Sequence, residues 1–251
     1  MAALPRRTLL GETVLVLGVS LGASAVWSVL SIIRKATAEV ALSAQTTAMN
    51  SSVTPDRPWL DLAYQLAGIG LALVPVALAL HLLRREDPHP AASMGFDLRR
   101  PGPDVALGLG LTAVIGIPGL GLYVLSRELG MNTSIAAANL VDVWWAVPVL
   151  VLAALQNAVL EEVVMVGYLF RRWAQAGWGV WQVILTSALI RGTYHLYQGF
   201  GGFVGNAVMG VVFGWLYTRT RRVMPLVVAH TLLDVIAFVG YALLRERLTW
   251  L

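Results

Sequence analysis

The sequence predicts an all-α, polytopic membrane protein: a bundle of about seven transmembrane helices that encloses a polar intramembrane site. Hydrophobic residues make up 57% of the 251 residues and charged residues only 13%, whereas soluble domains carry about a quarter charged residues. The mean hydropathy is +0.71. Apolar runs of spanning length recur along the chain, since a helix needs roughly 20 residues to cross about 30 Å of hydrocarbon.

Seven apolar segments are predicted to span the membrane, and basic residues lie at the breaks between them. All of the 18 basic residues except one are arginines. The positive-inside rule places the N-terminus in the cytoplasm and the C-terminus, with Arg245 and Arg247, outside. The net charge of +4 is therefore a topology signal, and no nucleic-acid partner is predicted. The predicted segments are residues 12–33, 62–83, 105–126, 143–170, 179–197, 203–218 and 223–244.

The N-terminal segment resembles a signal peptide, because two arginines precede an apolar run that includes Ala23-Ser24-Ala25. The apolar run continues to Ile33, however, so an uncleaved first helix is predicted. The two longer breaks, residues 36–58 and 84–104, are predicted to be an external linker and a proline-containing cytoplasmic loop.

The chain is predicted to be one membrane domain with two parts. Residues 1–142 supply N-terminal transmembrane helices and loops, and residues 143–251 supply the core helices that carry the polar site. The chain has no cysteine, which excludes disulfides, thiolate metal sites and a catalytic thiol.

Two consecutive carboxylates, Glu161 and Glu162, lie within an apolar segment. Each charged carboxylate near the bilayer midplane costs roughly 2.5–3.5 kcal/mol on insertion scales. Consecutive helical residues point about 100° apart, so one carboxylate can face a cavity while the other faces a neighbouring helix. The pair predicts either a functional site or a polar contact between helices.

Two further pairs of polar residues lie at membrane depth. Arg191 and His195 are four residues apart, as are His230 and Asp234, so each pair shares one helix face. Each pair alone is consistent with a structural contact. Intramembrane ionisable residues usually face one another or a wet cavity, and we therefore expect all three pairs to converge on one site.

The order of these motifs resembles the CAAX-protease and bacteriocin-processing family of intramembrane proteases, also called the Abi family. The resemblance covers about residues 148–239 and consists of a Glu-Glu pair, a histidine about thirty residues later and a final His-x-x-x-Asp. Gly210, Gly214 and Arg222-Val-Met-Pro225 extend it. It implies a membrane-embedded peptidase.

Two positions depart from the family pattern. The family usually has Glu-Glu-x-x-x-Arg and Phe-x-x-x-His, whereas this chain has Val166 at the arginine position and Arg191 at the phenylalanine position. One charge is lost and another gained. We expect the changes to compensate, with Arg191 pairing with Glu162, because an unpaired buried charge is strongly unfavourable.

Peptide hydrolysis needs an activated water, a proton donor and donors for the developing oxyanion. Glu161 is the predicted base, with His195 positioning the water, which is also what the family resemblance implies. His230 is the predicted oxyanion donor. Asp234 is expected to accept a hydrogen bond from His230 and fix its tautomer. Asn206 is a candidate supporting residue.

A zinc site is the alternative within the enzyme class, with His195, His230 and Glu161 as ligands. The His-Glu-x-x-His pattern is absent, and hydrolysis without a cofactor is preferred. Outside the enzyme class, the alternatives are a non-catalytic immunity or scaffolding membrane protein and a proton-coupled transporter. The glycine-containing stretch Gln198–Gly205 is predicted to be either an access loop or a plain turn.

The predicted partners are the lipid bilayer and a membrane-embedded or membrane-tethered protein or peptide substrate. Some family members cut the last three residues from prenylated CAAX proteins. The arginine-rich, lysine-poor composition favours a bacterial plasma-membrane protein, for which a transmembrane or peptide substrate is expected instead.

Overall fold

The computed structural model describes residues 4–244, and helices dominate the fold. Arg245 and Arg247 lie outside the described residues, and so does the prediction for that tail. The helices are α1 Arg6–Gly18, α2 Leu21–Ala36, α3 Pro58–Ala72, α4 Val74–Arg84, α5 Pro90–Ser93, α6 Pro101–Glu128, α7 Ala146–Glu161, α8 Leu169–Gln175, α9 Val180–Tyr194, α10 Phe200–Thr220 and α11 Met224–Leu244, and the strands are β1 Thr46–Ala48 and β2 Ser134–Ala136.

A helical membrane bundle is confirmed, but with fewer spans than seven. Within residues 4–244, five helical segments are long and apolar enough to cross a membrane, and α1 with α2, bent by 55° at their break, can form a sixth. The predicted span at 179–197 is shorter than expected, because α9 has 15 residues. At 1.5 Å per residue it extends about 22 Å, less than the hydrocarbon thickness. The five segments are Pro58–Arg84, Pro101–Glu128, Ala146–Gln175, Phe200–Thr220 and Met224–Leu244.

One end of the bundle carries most of the arginines, and ion pairs join its loops. Arg172 lies 2.6 Å from Glu86, and Arg222 lies 2.6 Å from Asp104. These pairs connect segments that the sequence analysis assigned to the cytoplasmic side. Arginines from two of the predicted cytoplasmic clusters therefore contact the predicted cytoplasmic loop, residues 84–104.

The opposite end is covered by a structured cap, which we define as residues 37–57 and 129–145. Strands β1 and β2 pair in parallel within it, although each has only three residues. The buried Asp61 carboxylate accepts hydrogen bonds from the backbone N–H groups of Val53 (2.6 Å) and Thr54 (3.1 Å). The stretch predicted as a linker is thus fixed in place by backbone and side-chain hydrogen bonds.

The segment from α7 to α8 lies at the centre of the bundle. Val163, Val164, Met165 and Leu169 have no exposed surface and pack in a core that includes residues of the N-terminal helices. Burying such side chains contributes about 1.5–3 kcal/mol each. The Glu161–Glu162 pair is therefore held in the most tightly enclosed helix of the described chain.

Candidate active site

The Glu161–Glu162 pair lies at a change of helix type. Helix α7 ends at Glu161, and a π-helical stretch follows from Glu162 to Tyr168. π-Helical turns inside α-helices are rare and occur frequently at functional sites, because the i→i+5 hydrogen bonding changes the direction in which side chains point. Val166 lies within this stretch and is 2% exposed. The position that carries arginine in the family is therefore an apolar core position in this chain.

Glu162 is completely buried and is neutralised from two other helices. Its Oε1 atom lies 2.8 Å from a terminal nitrogen of Arg191 and 2.7 Å from Nδ1 of His230. Arg191 is itself 1% exposed. The predicted Arg191–Glu162 pair is present, so an arginine on α9 takes the place of the one missing from position 166.

Glu161 is 8% exposed, whereas Glu162 has no exposed surface. Its Oε2 atom accepts a 2.6 Å hydrogen bond from the Tyr194 hydroxyl. The same oxygen is 3.4 Å from Arg191 and 4.0 Å from Nε2 of His230. Among the described residues, each polar contact of Glu161 uses Oε2, which leaves Oε1 available to a water molecule.

His195 lies directly after the end of α9. Its Nδ1 is 3.0 Å from the carbonyl oxygen of Arg191. Because a carbonyl only accepts hydrogen bonds, Nδ1 must carry the proton, and the neutral ring then has its lone pair on Nε2. This tautomer is the one that a proton-accepting histidine needs.

Asp234 does not make the hydrogen bond expected from the sequence. Its Oδ1 is 3.8 Å from Nε2 of His230, which is beyond hydrogen-bonding distance. Glu162 orients the His230 ring instead, through Nδ1. Asp234 accepts a 3.3 Å hydrogen bond from the side-chain amide of Asn157. Its interaction with His230 is electrostatic, without a direct hydrogen bond.

A cavity of about 550 Å³ reaches the site. His195, His230 and Asp234 line it, together with apolar residues of α6, α10 and α11 and residues of the cap. Asn206 also lines it, but its amide nitrogen donates to the carbonyl oxygen of Gly202, one turn earlier in α10 (3.0 Å). Of the four ionisable residues in the two predicted pairs, three therefore line one cavity, and only Arg191 does not.

The turn between α9 and α10 is short and fixed, and the glycine-containing stretch is not a loop. Helix α10 begins at Phe200, so most of Gln198–Gly205 is helical. Gly199 has a φ of 124°, a conformation that suits glycine because it has no Cβ. The stretch therefore forms a tight turn and a helix N-terminus.

Lys35, the single lysine of the chain, lies in the last turn of α2 and links the α9–α10 turn to the cap. Its ammonium group donates to the backbone carbonyl of Tyr197 at 2.6 Å and to the Thr47 hydroxyl at 2.5 Å. Thr133 of the cap donates through its backbone N–H and its hydroxyl to the carbonyl of Gln198, at 3.1 and 3.0 Å. The backbone that follows His195 is thus tied to the cap.

One group of described residues has the spacing of metal ligands. Single ligand atoms of Glu161, Glu162 and His230 lie within 4.8 Å of one another, whereas the sequence-based set contained His195 instead of Glu162. The Oε1 atom of Glu162 already faces Arg191 and the Nδ1 of His230. A cation at this oxygen would have to displace a guanidinium, so the arrangement as found suits an arginine better than a metal ion.

The comparison with protein families agrees with the motif order. Residues 143–236 match the model of the family described as Rce1-like, type II CAAX prenyl endopeptidase Rce1-like. This region carries the sequence pattern of that family. The match confirms the resemblance to CAAX-type proteases for the part of the chain that contains all three motifs. No curated protein and no solved structure matches the chain significantly.

Sequence reasoning missed two site residues. Tyr194 bonds Glu161, and its signal was its place three residues after Arg191, which puts both on one face of α9. Asn157 bonds Asp234, and it lies one helical turn before Glu161. Both are polar residues inside apolar helices, but nothing in the sequence indicates their partners.

Proposed function

We propose that the chain is an intramembrane endopeptidase that hydrolyses a peptide bond of a membrane-associated substrate. The observation that carries the proposal is the setting of Glu161, whose Oε2 is held by Tyr194 and Arg191 while Oε1 is left for water. A carboxylate fixed in this way can accept a proton from water and pass it to the leaving amine. The family match supports the same reaction class.

The two histidines have different roles in this mechanism. His195 accepts a hydrogen bond from the attacking water through Nε2, because its Nδ1–H donates a hydrogen bond to the Arg191 carbonyl. His230 donates from Nε2 to the developing oxyanion. This needs a proton on both ring nitrogens, and the carboxylates of Glu161, Glu162 and Asp234 stabilise that form at 4.0, 2.7 and 3.8 Å. Preorganised donors of this kind contribute roughly 100- to 1000-fold to the rate.

The reaction proposed needs no metal ion. Arg191 and His230 already occupy Oε1 of Glu162, the oxygen that a metal ion would need. Peptidase activity that survives a chelator, in protein whose metal content is below one ion per ten chains, is the expected result. Loss of activity with a chelator and recovery with zinc would contradict the metal-free mechanism and leave the peptidase proposal standing.

The location proposed is a bacterial plasma membrane, with the N-terminus in the cytoplasm. The clustering of arginines at the end of the bundle opposite the cap supports this orientation. The cavity, which cap residues such as Ile135 and Ala137 help to line, then opens on the side away from the cytoplasm.

Newly formed peptide N-termini in membranes provide the test. Cells that produce the native protein, Glu161→Gln or Glu39→Gln are compared by labelling N-termini and identifying the peptides. Glutamine keeps the size of Glu161 and its hydrogen bond with Tyr194 but cannot take a proton. The peptides produced by the native protein should therefore be missing from cells with Glu161→Gln. Glu39 is exposed, and its variant should match the native protein. Identical peptides from all three would refute the peptidase and favour a scaffold or a transporter.

A further inference from the structure

We infer that the free edge of strand β2 binds the main chain of the substrate in an extended conformation, as a third strand of the small sheet in the cap. The inference rests on the proposed peptidase function and describes how that site holds its substrate. It concerns backbone groups, which every peptide has. It therefore applies equally to a cut near a C-terminus and to a cut within a chain.

A peptide bond must lie in accessible, non-helical backbone before it can be cleaved. In a helix its carbonyl oxygen is bonded to the N–H group four residues later, so a helical substrate has to unwind at the scissile bond. The freed N–H and C=O groups find no partners in hydrocarbon. A segment that enters the cavity from water loses its partners in the same way. Because unpaired backbone groups are costly away from water, the site must supply partners of its own.

Strand β2 uses only one of its two edges within the described sheet, which has two strands in the order β1–β2. The N–H of Ser134 and the carbonyl of Ala136 form 2.9 Å hydrogen bonds with residues that flank β1. Backbone groups of successive strand residues point to opposite edges of the strand. Thr133, Ile135 and Ala137 therefore direct theirs to the second edge.

The beginning of this second edge is paired with the turn that follows His195. The N–H of Thr133 donates to the Gln198 carbonyl at 3.1 Å, next to an antiparallel bridge between Asn132 and Gly199. Gln198 is three residues after His195, which limits their separation along the chain to about 11 Å. The edge thus already pairs with extended backbone, and it does so close to His195.

Two residues further along, the edge has no backbone partner. The N–H of Ile135 donates to the Tyr123 hydroxyl at 3.1 Å, so the hydroxyl oxygen lies where a carbonyl oxygen of a third strand would lie. Among the described residues, the carbonyl of Ile135 and the N–H of Ala137 have no hydrogen-bond partner on this edge. Ile135, Ala137 and Tyr123 line the cavity that His195 and His230 also line. The free edge is therefore a wall of the candidate active-site cavity.

The free stretch is short, and its length suits the few residues around one scissile bond. It ends at Ala137, whose carbonyl accepts a 2.8 Å hydrogen bond from the Asn50 amide. The four steps from Thr133 to Ala137 cover about 13 Å at about 3.3 Å per residue. A substrate strand can form two hydrogen bonds here, and a third if it displaces the Tyr123 hydroxyl from Ile135. Main-chain bonds of this kind supply the affinity when a peptide adds to a sheet edge.

Two fluorescent peptides test the inference. Both have about ten residues that alternate leucine and threonine, and both end in an amide. One has ordinary peptide bonds, and the other carries a methyl group on every backbone nitrogen. Binding to detergent-solubilised Glu161→Gln protein is measured by fluorescence anisotropy, which does not require cleavage. We expect the ordinary peptide to bind about tenfold more tightly, because methylation removes its donors and blocks its approach to the edge.

Replacing Tyr123 should increase the binding of the ordinary peptide. Combining Glu161→Gln with Tyr123→Phe removes the hydroxyl from the N–H of Ile135, so a peptide carbonyl can take its place. The ordinary peptide should then bind about threefold to tenfold more tightly, and the methylated peptide should show no gain. The matched control is Tyr64→Phe, because Tyr64 lies in α3 and is 50% exposed. It should leave the binding of both peptides unchanged.

Three results would overturn the inference: no binding of the ordinary peptide, equal binding of the two peptides, or a Tyr123→Phe variant that gains no affinity or gains it equally for both. None of these measurements depends on cleavage. Missing peptidase products in cells would instead contradict the proposed function and leave the binding results standing.

Discussion

Replacing Arg191 with methionine tests the electrostatic balance of the site. Arg191 faces Glu162 at 2.8 Å and Glu161 at 3.4 Å, and Glu162 has no exposed surface. Removing one partner of a buried ion pair costs about 3–5 kcal/mol, because the remaining charge stays buried without compensation. We therefore expect Arg191→Met to lower the free energy of unfolding by about 3–5 kcal/mol.

The assay is unfolding in mixed detergent micelles, followed by the loss of helical circular dichroism. Arg171→Met is the matched control, because Arg171 forms an ion pair of 2.6 Å with Asp87 but its side chain is 28% exposed. Exposed pairs contribute about 0.2–1 kcal/mol. The hydrogen bond from Arg171 lowers the pKa of Asp87 to about 2 from 3.8. This contribution is complete above pH 3.8 and is lost as the pH falls through 2, so the Arg171–Asp87 pair is measured fully charged at pH 7.

A double-mutant cycle separates the interaction energy of Arg191 with Glu162 from the other effects of each substitution on stability. In Arg191→Met combined with Glu162→Gln, the unpaired charge is removed together with its partner, so part of the lost stability should return. A coupling energy of about 1–3 kcal/mol is expected for groups in direct contact. A loss below about 1 kcal/mol for Arg191→Met, or one equal to that of Arg171→Met, would refute the compensation argument.

Three further outcomes are expected. Tyr194→Phe removes the 2.6 Å hydrogen bond to Glu161 and should lower kcat about tenfold or more without unfolding the protein. An unchanged kcat would show that the Tyr194 hydroxyl does not contribute to the reaction. Because the chain has no cysteine, Val53→Cys in the cap and Leu98→Cys at the arginine-rich end, 59% and 79% exposed, can be compared with a membrane-impermeant thiol reagent. Only Val53→Cys should react in intact cells, and the opposite pattern would invert the proposed orientation. Lys35→Met removes one of the links between the cap and the α9–α10 turn, so protease should cut the cap faster than in the native protein. Equal rates would indicate that the other hydrogen bonds suffice to hold the cap.

The membrane class and the site motifs were predictable because both depend on short-range patterns. Apolar runs and their flanking arginines indicate helices and orientation. The spacing of four in His230 to Asp234 fixes a shared face without knowledge of any other helix. The pairing of Arg191 with Glu162 was predicted in a different way, from charge balance in an apolar medium.

Other features depend on residues that are far apart in the chain, and only the tertiary structure decided them. Glu162, not Asp234, orients His230, because the π-helical stretch sets the direction of the second carboxylate. Tyr194 meets Glu161 only because α9 packs against the π-helical stretch that directly follows Glu161. Asn132 caps α10 across 69 residues. Periodicity along one segment determines which residues share a face. The distance between two faces depends on how the helices pack, and that packing brings the residues of the candidate site together.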